Sequence, residues 1–232
     1  MNLRAYVVSR FSSFIHGSCA LLRAEMGRDE IVLAAALSGL LQQVDAVPGH
    51  VAELGVGSGT NSLVLSTLIT DVFCWDNTQY VGFDTFHGYP RDVLNRNPAF
   101  REGAFQGDDF SLNFVQSRIN ASGLASTCVL VKGDLRETVP AILEDPPKNL
   151  LCSPDGLMFR LLYIDCNDVE SAVAGLTTFA AILSPGALIA IDERRLGGET
   201  AALLNFAAAY SDTFQLLPNP GFPGRICLKK IA

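Results

Sequence analysis

Short apolar segments rich in β-branched residues alternate with longer amphipathic segments over most of this sequence. The short segments predict strands at 51–54, 79–83, 128–132, 160–164 and 187–191, and the longer ones predict helices near 61–69, 111–122, 137–143 and 170–183. Strands separated by helices run in the same direction, because each helix carries the chain back to the edge where the next strand starts. The alternation therefore predicts a parallel sheet with helices on both faces.

The end of the chain departs from this alternation. After a helix predicted near 199–210, two short apolar runs at 213–217 and 225–229 flank a segment rich in Pro and Gly. Such a segment predicts a closing antiparallel hairpin. We therefore expect an α/β fold of the Rossmann-like, three-layer kind, with a seven-stranded, mostly parallel sheet.

The chain divides into two parts by its sequence pattern. Apolar residues recur at helical spacing near the start, so we expect an N-terminal helical cap over residues 1–49 and one compact domain over residues 50–232. The connection at 85–110 is long for an α/β loop, and long loops in compact domains are usually functional. We expect it to close over a ligand as a lid.

Composition excludes several classes of protein. With 49% hydrophobic and 18% charged residues, the 232-residue chain is globular. A net charge of −7, without Lys/Arg clusters longer than a pair, argues against nucleic-acid and anionic-lipid partners. The apolar runs are far shorter than the roughly 20 residues that cross a bilayer. The six cysteines show no C-x-x-C spacing, so we expect reduced thiols in a cytoplasmic protein.

A glycine-rich turn follows the first predicted strand, where Gly55, Gly57 and Gly59 stand just before the helix near Asn61. Glycines there let the backbone approach a ligand closely, and the N–H groups that open the helix face it. The turn predicts a nucleotide-like cofactor, with a tight turn that binds no ligand as the alternative. Thr60 stands where a dinucleotide fingerprint has its third glycine, which weakens a prediction of NAD, and no G-K-[ST] follows, which excludes a P-loop.

Acidic residues close the second and third predicted strands. Asp84 and Asp134 are expected at the carboxyl edge of the sheet beside the glycine turn, where open α/β sheets bind ligands. Asp84 can accept both hydroxyls of a ribose, and Asp134 with Leu135 can edge an adenine. The alternative for each acid is a cap on the helix that follows it.

A second group of acids closes the fourth and fifth predicted strands. Asp165 ends one strand and Asp192-Glu193 ends its expected neighbour, so three carboxylates converge on one edge. Close carboxylates repel one another, and a divalent cation with oxygen ligands relieves that repulsion. The group predicts a site for Mg²⁺, Mn²⁺ or Ca²⁺; exposed acids paired with Arg194 and Arg195 are the alternative.

Several segments of the sequence resemble, in order and spacing, the macrocin O-methyltransferase (TylF-type) family. These segments are Glu53-Leu54-Gly55-Val56, residues 82–90, residues 132–140, Ile164-Asp165, Leu183-Ser184-Pro185-Gly186 and Ile191-Asp192-Glu193. The family consists of class I S-adenosylmethionine-dependent enzymes that typically methylate sugar hydroxyls of natural products with Mg²⁺. The resemblance implies S-adenosylmethionine as cofactor, Mg²⁺ or Mn²⁺ as metal, and a small-molecule acceptor such as a sugar or diol.

The resemblance also implies roles for individual residues. Glu53, Gly55 and Asp84 would hold the cofactor. Asp165, Asp192 and Glu193 would hold the metal, with Asp165 also the general base. Together with the glycine turn and the strand ends, the expected cofactor-binding residues are Glu53, Gly55, Val56, Gly57, Gly59, Asn61, Ser62, Asp84, Thr85, Asp134 and Leu135. His87, in the long loop, is a candidate catalytic residue that contacts the acceptor, and a surface histidine is the alternative.

This chain departs from the family in two of these segments. The family usually reads Asp-Gly-Asp-Leu-Tyr-Glu-Ser where this chain has Asp165-Cys166-Asn167-Asp168-Val169-Glu170-Ser171, and Asp-Asp where this chain has Asp192-Glu193. Glutamate still ligates a hard cation, through a stem that is one methylene longer. Val169 in place of Tyr is compatible with a different acceptor.

Two other functions share the predicted fold. An NAD(P)-dependent oxidoreductase needs a better dinucleotide fingerprint and a Tyr-Lys or His-acid catalytic set, which the sequence lacks. A non-catalytic cofactor-binding protein is favoured only by the departures from the family motifs. We expect an O-methyltransferase that forms a homodimer or a larger oligomer, as apolar N-terminal helices and family habit suggest.

Overall fold

The computed structural model describes residues 28–96, 105–152, 154, 156–192, 198–217 and 226–232. The strands are β1 (His50–Leu54), β2 (Tyr80–Asp84), β3 (Cys128–Lys132), β4 (Phe159–Ile164), β5 (Leu183–Ile191), β6 (Phe214–Leu217) and β7 (Ile226–Lys230). The helices of these residues are α1 (Arg28–Gln43), α2 (Thr60–Thr67), α3 (Arg91–Arg96), α4 (Leu112–Ala121), α5 (Leu135–Ala141), α6 (Val169–Ile182) and α7 (Gly198–Ala209). A π-helical turn, Leu68–Val72, extends α2, and a 3-10 turn, Asp108–Phe110, precedes α4.

The strands form one sheet in the order β3-β2-β1-β4-β5-β7-β6. All pairings among β1 to β5 are parallel, whereas β7 pairs antiparallel with both β5 and β6. Six strands therefore share one direction and β7 runs against them, which confirms the predicted α/β fold with its closing hairpin. The chain steps outward from β1 to β3 and then crosses to β4 on the other side of β1. Such a reversal of strand order opens a crevice at the carboxyl ends of the strands.

Two elements differ from the sequence prediction. β5 begins at Leu183 rather than at residue 187, since Leu183 pairs with Phe159 across a register shift before the pairing of Leu161 with Leu188. Pro185 and Gly186 lie within this irregular start of the strand, where such residues are tolerated. The long connection at 85–110 also contains the short helix α3 and the 3-10 turn, which its polar composition did not indicate.

The helices cover the sheet on both faces, each over its own apolar core. Fully or almost fully buried helix residues mark the two cores: Leu37, Leu65 and Val115 on one face, and Val139, Leu176 and Leu203 on the other. Successive strand residues alternate between the cores, as Val51 and Ala52 do in β1. Burial of apolar surface on both sides explains why the parallel strands read as continuous apolar runs.

The described part of the N-terminal segment belongs to this sandwich. α1 buries Ala34, Leu37, Leu40 and Leu41 in the same core as β1 residue Val51. The rest of the predicted cap, residues 1–27, lies outside the described residues. None of the described helices has the length and apolarity that crossing a membrane requires.

Candidate functional site

A cavity of about 290 Å³ opens at the carboxyl edge of the sheet, where the strand order reverses. The glycine turn after β1 forms one wall, and the residues that follow β2, β3 and β4 form the next. Segments 88–93 and 105–110 close the remaining side with apolar and aromatic side chains. The strand ends are brought together by the parallel pairing, so the cavity lies where the sequence predicts a ligand site.

The glycine turn requires its glycines for two different reasons. Gly55, Gly57 and Gly59 have φ values of +91°, +57° and +83°, a left-handed region that favours glycine. A Cβ on Gly55 would lie 2.3 Å from the carbonyl oxygen of Asp165, so this glycine lets β1 and the end of β4 pack together. Gly57 lines the cavity, and a Cβ there would have no atom within 4 Å. Gly57 therefore leaves space in the cavity, whereas Gly55 permits close packing.

Asp84 ties the glycine turn to the end of β2. Its Oδ2 accepts hydrogen bonds from the backbone N–H groups of Val56 (2.8 Å) and Gly57 (2.9 Å), and its Oδ1 accepts one from Phe86 (2.7 Å). Thr85 is buried, lines the cavity, and donates its hydroxyl to the Gly88 carbonyl at 2.6 Å. The carboxylate thus fixes the wall of the cavity that it also lines.

A fully buried hydrogen-bond network lies directly behind the glycine turn. Glu53 Oε1 accepts from Asn61 Nδ2 at 2.7 Å, and Glu53 Oε2 accepts a very short hydrogen bond from the Tyr80 hydroxyl. Ser62 Oγ lies 2.8 Å from the same hydroxyl. Burial raises the pKa of Glu53 well above its usual value, and burial beside Glu53 raises the pKa of Tyr80. Glu53 therefore keeps its proton to a higher pH than an exposed glutamate does.

Asn61 connects this network to the cavity. Its Nδ2 atom also lies 3.3 Å from Asp165 Oδ2, and both residues line the cavity. Asp165 follows β4, where its backbone N–H donates to the Leu54 carbonyl at 2.8 Å. The orientation of the Asp165 carboxylate is thus linked to a buried group on the neighbouring strand.

Asp192 stands beside Asp165 at the end of the next strand. The pairing of Ile164 with Ile191 places the two acids at corresponding positions, and the Asp192 N–H donates to the Ile164 carbonyl at 2.9 Å. Glu193, Arg194 and Arg195 lie outside the described residues. In the portion of the chain with described coordinates, no group of three His, Cys, Asp or Glu residues is arranged to hold a metal ion. Two of the three predicted metal ligands are therefore adjacent, and the third is untested.

A buried carboxylate on α7 holds the loop that follows Asp165. Glu199 is 2% exposed, and its Oε1 accepts from the N–H groups of Cys166 (3.1 Å) and Asn167 (2.6 Å) and from the Cys166 thiol (3.1 Å). Burial raises the pKa of Cys166, so the thiol stays protonated and can donate. Asn167 has a φ of +55°, and the two N–H bonds stabilise this left-handed conformation.

Asp134 has both of the roles that its position allows. It caps α5, since Oδ1 accepts from the Arg136 N–H at 2.9 Å, and it lines the cavity together with Leu135. Arg136 also contacts the carboxylates of Asp92 and Glu170, which links α5 to α3 and α6. The guanidinium lowers the pKa of Asp134, which therefore stays ionised at the cavity rim.

Aromatic side chains from the long connection form the outer wall of the cavity. Phe105 packs edge-to-face against Tyr89 and Phe110, with ring centroids 5.5 Å apart in each pair. Tyr89 also hydrogen-bonds to Asn167, and burial raises the pKa of its hydroxyl. The wall and the loop after β4 therefore hold each other in place.

The structure brings most of the predicted site residues to one cavity. The residues that line it are Gly55, Val56, Gly57, Asn61, Asp84, Thr85, Asp134, Leu135 and Asp165. Glu53 and Ser62 are fully buried behind the turn, and neither they nor Gly59 nor Asp192 line the cavity. His87 is exposed, and its Nδ1 lies 2.7 Å from the Thr85 carbonyl. These positions divide the predicted residues into those that can touch a ligand and those that support them.

Three features of the site have little signal in the sequence. Glu199 accepts from two backbone N–H groups and an uncharged thiol, so no basic partner in the sequence indicates its role. Tyr89, Phe105 and Phe110 are isolated aromatic residues in a polar connection, so no periodic pattern indicates that they share one wall. Arg136 could have been noticed, since a helix-capping acid followed two residues later by arginine allows a local ion pair.

Comparison with solved structures identifies the fold. The calicheamicin methyltransferase CalS11 matches with a TM-score of 0.67 at 24% identity, over 99% of this chain and 93% of that one. The O-methyltransferase NovP matches with a TM-score of 0.66 at 16% identity, over 87% and 81% of the two chains. An rRNA methylase from Streptococcus thermophilus matches with a TM-score of 0.51 at 13% identity, over 84% and 95%. No family model and no curated protein matches this chain.

These likenesses show that the chain has the fold of Rossmann-like methyltransferases. Their sequence identities are low, and their acceptors range from small molecules to RNA, so the fold by itself does not fix the acceptor.

Proposed function

We propose that this protein is an S-adenosylmethionine-dependent O-methyltransferase that acts on a hydroxyl of a small molecule, a sugar or diol of a natural product. The observation that carries the proposal is that Gly57 and the Asp165 carboxylate face the same cavity at the carboxyl edge of the sheet. A cofactor against the turn would bring its reactive group toward a carboxylate able to take a proton. CalS11 is described as a TDP-rhamnose 3'-O-methyltransferase, which supports a sugar acceptor.

The cavity fits this cofactor in charge and shape. Four acids line it, Asp84, Asp134, Asp165 and Asp168, and among the described lining residues there is no lysine or arginine. Such surroundings favour the positively charged sulfonium and amino groups. Gly57 leaves room that a Cβ would occupy. Asp84 already accepts three backbone N–H groups, which leaves Oδ1 with a lone pair for one ribose hydroxyl.

The residues at the ends of β4 and β5 fit a divalent cation in part. Asp165 and Asp192 supply carboxylate oxygens, the ligand type that Mg²⁺ and Mn²⁺ prefer, and Glu193 would supply a third. A cation there would lower the pKa of an acceptor hydroxyl and fix its direction. Magnesium dependence is accordingly part of the proposal.

The chain's own residues account for the proton transfer and the orientation. S-adenosylmethionine supplies an electrophilic methyl group carried on sulfur. The acceptor oxygen would take this methyl group as its proton passes to the carboxylate of Asp165, and the broken C–S bond would leave S-adenosylhomocysteine as the neutral leaving group. Asn61 orients that carboxylate through the contact with Oδ2, and Glu199 holds the backbone just after it.

Calorimetric titration of the purified protein with S-adenosylhomocysteine, and separately with NAD⁺, tests the cofactor. We expect S-adenosylhomocysteine to bind and NAD⁺ to remain without measurable affinity. The opposite result would establish the oxidoreductase alternative. Repeating the titration and a methyl-transfer assay with Mg²⁺ or a chelator tests the metal, and Asp192→Asn should remove any stimulation by Mg²⁺.

The base is tested with the Asp165→Asn variant and an acceptor screen over glycosides and catechol-like diols. We expect this variant to bind S-adenosylhomocysteine but to transfer no methyl group. Asp145→Asn removes the same charge from an exposed position outside the cavity and should retain full activity. Normal transfer by Asp165→Asn would remove Asp165 from the role of base. A non-catalytic cofactor-binding protein would bind S-adenosylhomocysteine but methylate none of the acceptors.

A further inference from the structure

A second cleft, of about 510 Å³, lies at the amino edge of the sheet, opposite the cofactor cavity. It is lined by segments that precede β1, β2 and β4, and we call it the amino-edge cleft, defined by Gly49, His50, Trp75, Asp76 and Arg160. Its volume lies within the roughly 300–1,000 Å³ that small-molecule sites occupy. The proposed methyltransferase chemistry makes no use of it.

Arg160 is the unusual residue of this cleft. The side chain is 93% buried, being 7% exposed, and its Nε donates to the Gly49 carbonyl at 2.8 Å. Its guanidinium carbon lies 3.8 Å from the centroid of the Trp75 ring. The Nη1 atom is buried without a hydrogen-bond partner. A buried charged donor that lacks an acceptor is costly, so its retention in a cleft points to an acceptor supplied from outside.

The charge of Arg160 is not neutralised locally. Within the described ranges, no carboxylate forms an ion pair with it. Burial lowers its pKa to about 10, which leaves the group protonated at neutral pH. Asp45, the acid whose field acts on it, accepts the indole N–H of Trp75 at 2.9 Å and does not line the cleft.

Two aromatic rings beside Arg160, those of His50 and Trp75, are held in place by hydrogen bonds. His50 Nδ1 accepts the Gln79 N–H at 3.0 Å, so Nε2 carries the proton and donates to the Leu151 carbonyl at 2.6 Å. Trp75 is held by its bond to Asp45 and by stacking on Phe73 with centroids 4.7 Å apart. Both rings therefore keep defined positions beside the guanidinium.

We propose that the amino-edge cleft binds a small molecule through a carboxylate group, which accepts a hydrogen bond from Nη1 of Arg160. A carboxylate matches the planar guanidinium in shape and in charge. A phosphate fits less well, because Arg160 is the one cation among the described lining residues and Asp76 adds an exposed negative charge. A doubly charged group would meet more repulsion than attraction there.

Trp75 makes the proposal testable without knowledge of the ligand, because it is the single tryptophan of the chain. Its fluorescence is followed while the full-length protein is titrated with sodium acetate, sodium benzoate or inorganic phosphate, with sodium chloride keeping the ionic strength constant. We expect a saturable change with both carboxylates and weaker binding of phosphate. A change that does not saturate with either carboxylate would overturn the proposal, and tighter binding of phosphate would overturn the choice of carboxylate.

Variants locate the binding. Arg160→Gln should weaken carboxylate binding by about tenfold or more, as the loss of a hydrogen bond to a charged group predicts. Lys132→Gln removes the same charge from an exposed position at the other edge of the sheet and should bind normally. Equal affinities in the Arg160→Gln and Lys132→Gln variants would contradict the site.

A further variant tests carboxylate binding at the cleft if Arg160→Gln does not fold, which circular dichroism would reveal. Asp76 is exposed, so Asp76→Asn should fold, and it should tighten carboxylate binding because a repelling charge is lost. Affinities unchanged by Asp76→Asn would place the binding elsewhere. The test needs no methyl transfer, so it stands apart from the proposed function.

Discussion

Asn61 donates from Nδ2 toward Oδ2 of Asp165 at 3.3 Å, and the same nitrogen donates to the buried Glu53 at 2.7 Å. One amide group thus joins a carboxyl that never meets solvent to a carboxylate that lines the cavity. The link explains how Glu53, a buried acid of β1, can affect a cavity that it does not line. It also separates residues that shape the site from residues that can touch a ligand.

Replacing Asn61 should therefore affect both stability and catalysis. Asn61→Ala leaves Glu53 without its amide donor and frees Asp165 to rotate, so we expect a loss of about 1–3 kcal/mol in the free energy of unfolding and a lower kcat. Ser62→Ala is the matched control, because Ser62 bonds to Tyr80 in the same network but has no contact with Asp165. Urea unfolding and steady-state kinetics on both variants would check this. Equal kcat losses in the two would contradict an orienting role for Asn61.

Glu53 should give the protein a characteristic dependence of stability on pH. Because the folded-state pKa is raised above the unfolded value, the native state binds the extra proton, and the resulting stability is present at low pH. This stability is lost as pH rises from the unfolded pKa, near the usual value of 4.5, through the folded pKa. Glu53→Gln mimics the protonated form and should be as stable as wild type near pH 4 and more stable near pH 8.

Thermal unfolding of both proteins between these pH values measures the effect. The control is Glu137→Gln, which removes an exposed carboxylate from α5. If wild type and Glu53→Gln change in parallel over the whole range, the pKa of Glu53 is the same in the folded and unfolded protein, and the raised pKa is wrong.

The sheet could be predicted from the sequence because each strand carries its own signal. β1 to β4 are short apolar runs ended by an acid or a glycine, and the structure places them within a residue of the prediction. α3 could not be predicted, because its six residues are mostly polar. Its one buried side chain, Val93, is fixed by tertiary contacts that the local sequence does not show. Local composition decides such elements less than the tertiary contacts do.

The candidate site was predictable only as far as strand ends determine position. Asp84, Asp134 and Asp165 follow parallel strands, so their convergence on one edge follows from the topology. The sequence could not tell that Glu53 points behind the turn, since this depends on where Tyr80 and Asn61 meet it. It could not indicate Glu199 either, whose partners are backbone groups some 33 residues away along the chain.

Gly55 and Gly57, two of the three glycines of the turn, should respond differently to the same substitution. Gly57→Ala places a methyl group beside the cavity with no atom to strike, so folding loses about 1–2 kcal/mol for the left-handed backbone. S-adenosylhomocysteine should bind at least tenfold more weakly, a change of about 1.4 kcal/mol. Gly55→Ala would collide with the Asp165 carbonyl at 2.3 Å and should cost about 3 kcal/mol or more of stability.

Chemical unfolding and calorimetry on these two variants separate the roles. The expected pattern is a stable Gly57→Ala protein with weak cofactor binding and a poorly folded Gly55→Ala protein. Normal affinity for S-adenosylhomocysteine in Gly57→Ala would mean that the cofactor does not lie against this part of the turn.

The role of Glu199 can be tested by comparing a disruptive substitution with a conservative one. Glu199→Ala removes the acceptor of two backbone N–H groups and a thiol, so we expect a loss of about 2–3 kcal/mol of stability and a lower kcat, because the loop after Asp165 loses its support. Glu199→Gln keeps an acceptor oxygen in place and should recover most of both. Neither substitution changes the adjacent residues Gly198 and Thr200 at the start of α7. Stability restored by Glu199→Gln without kcat would show that the carboxylate charge, rather than the position of the loop, is what catalysis needs.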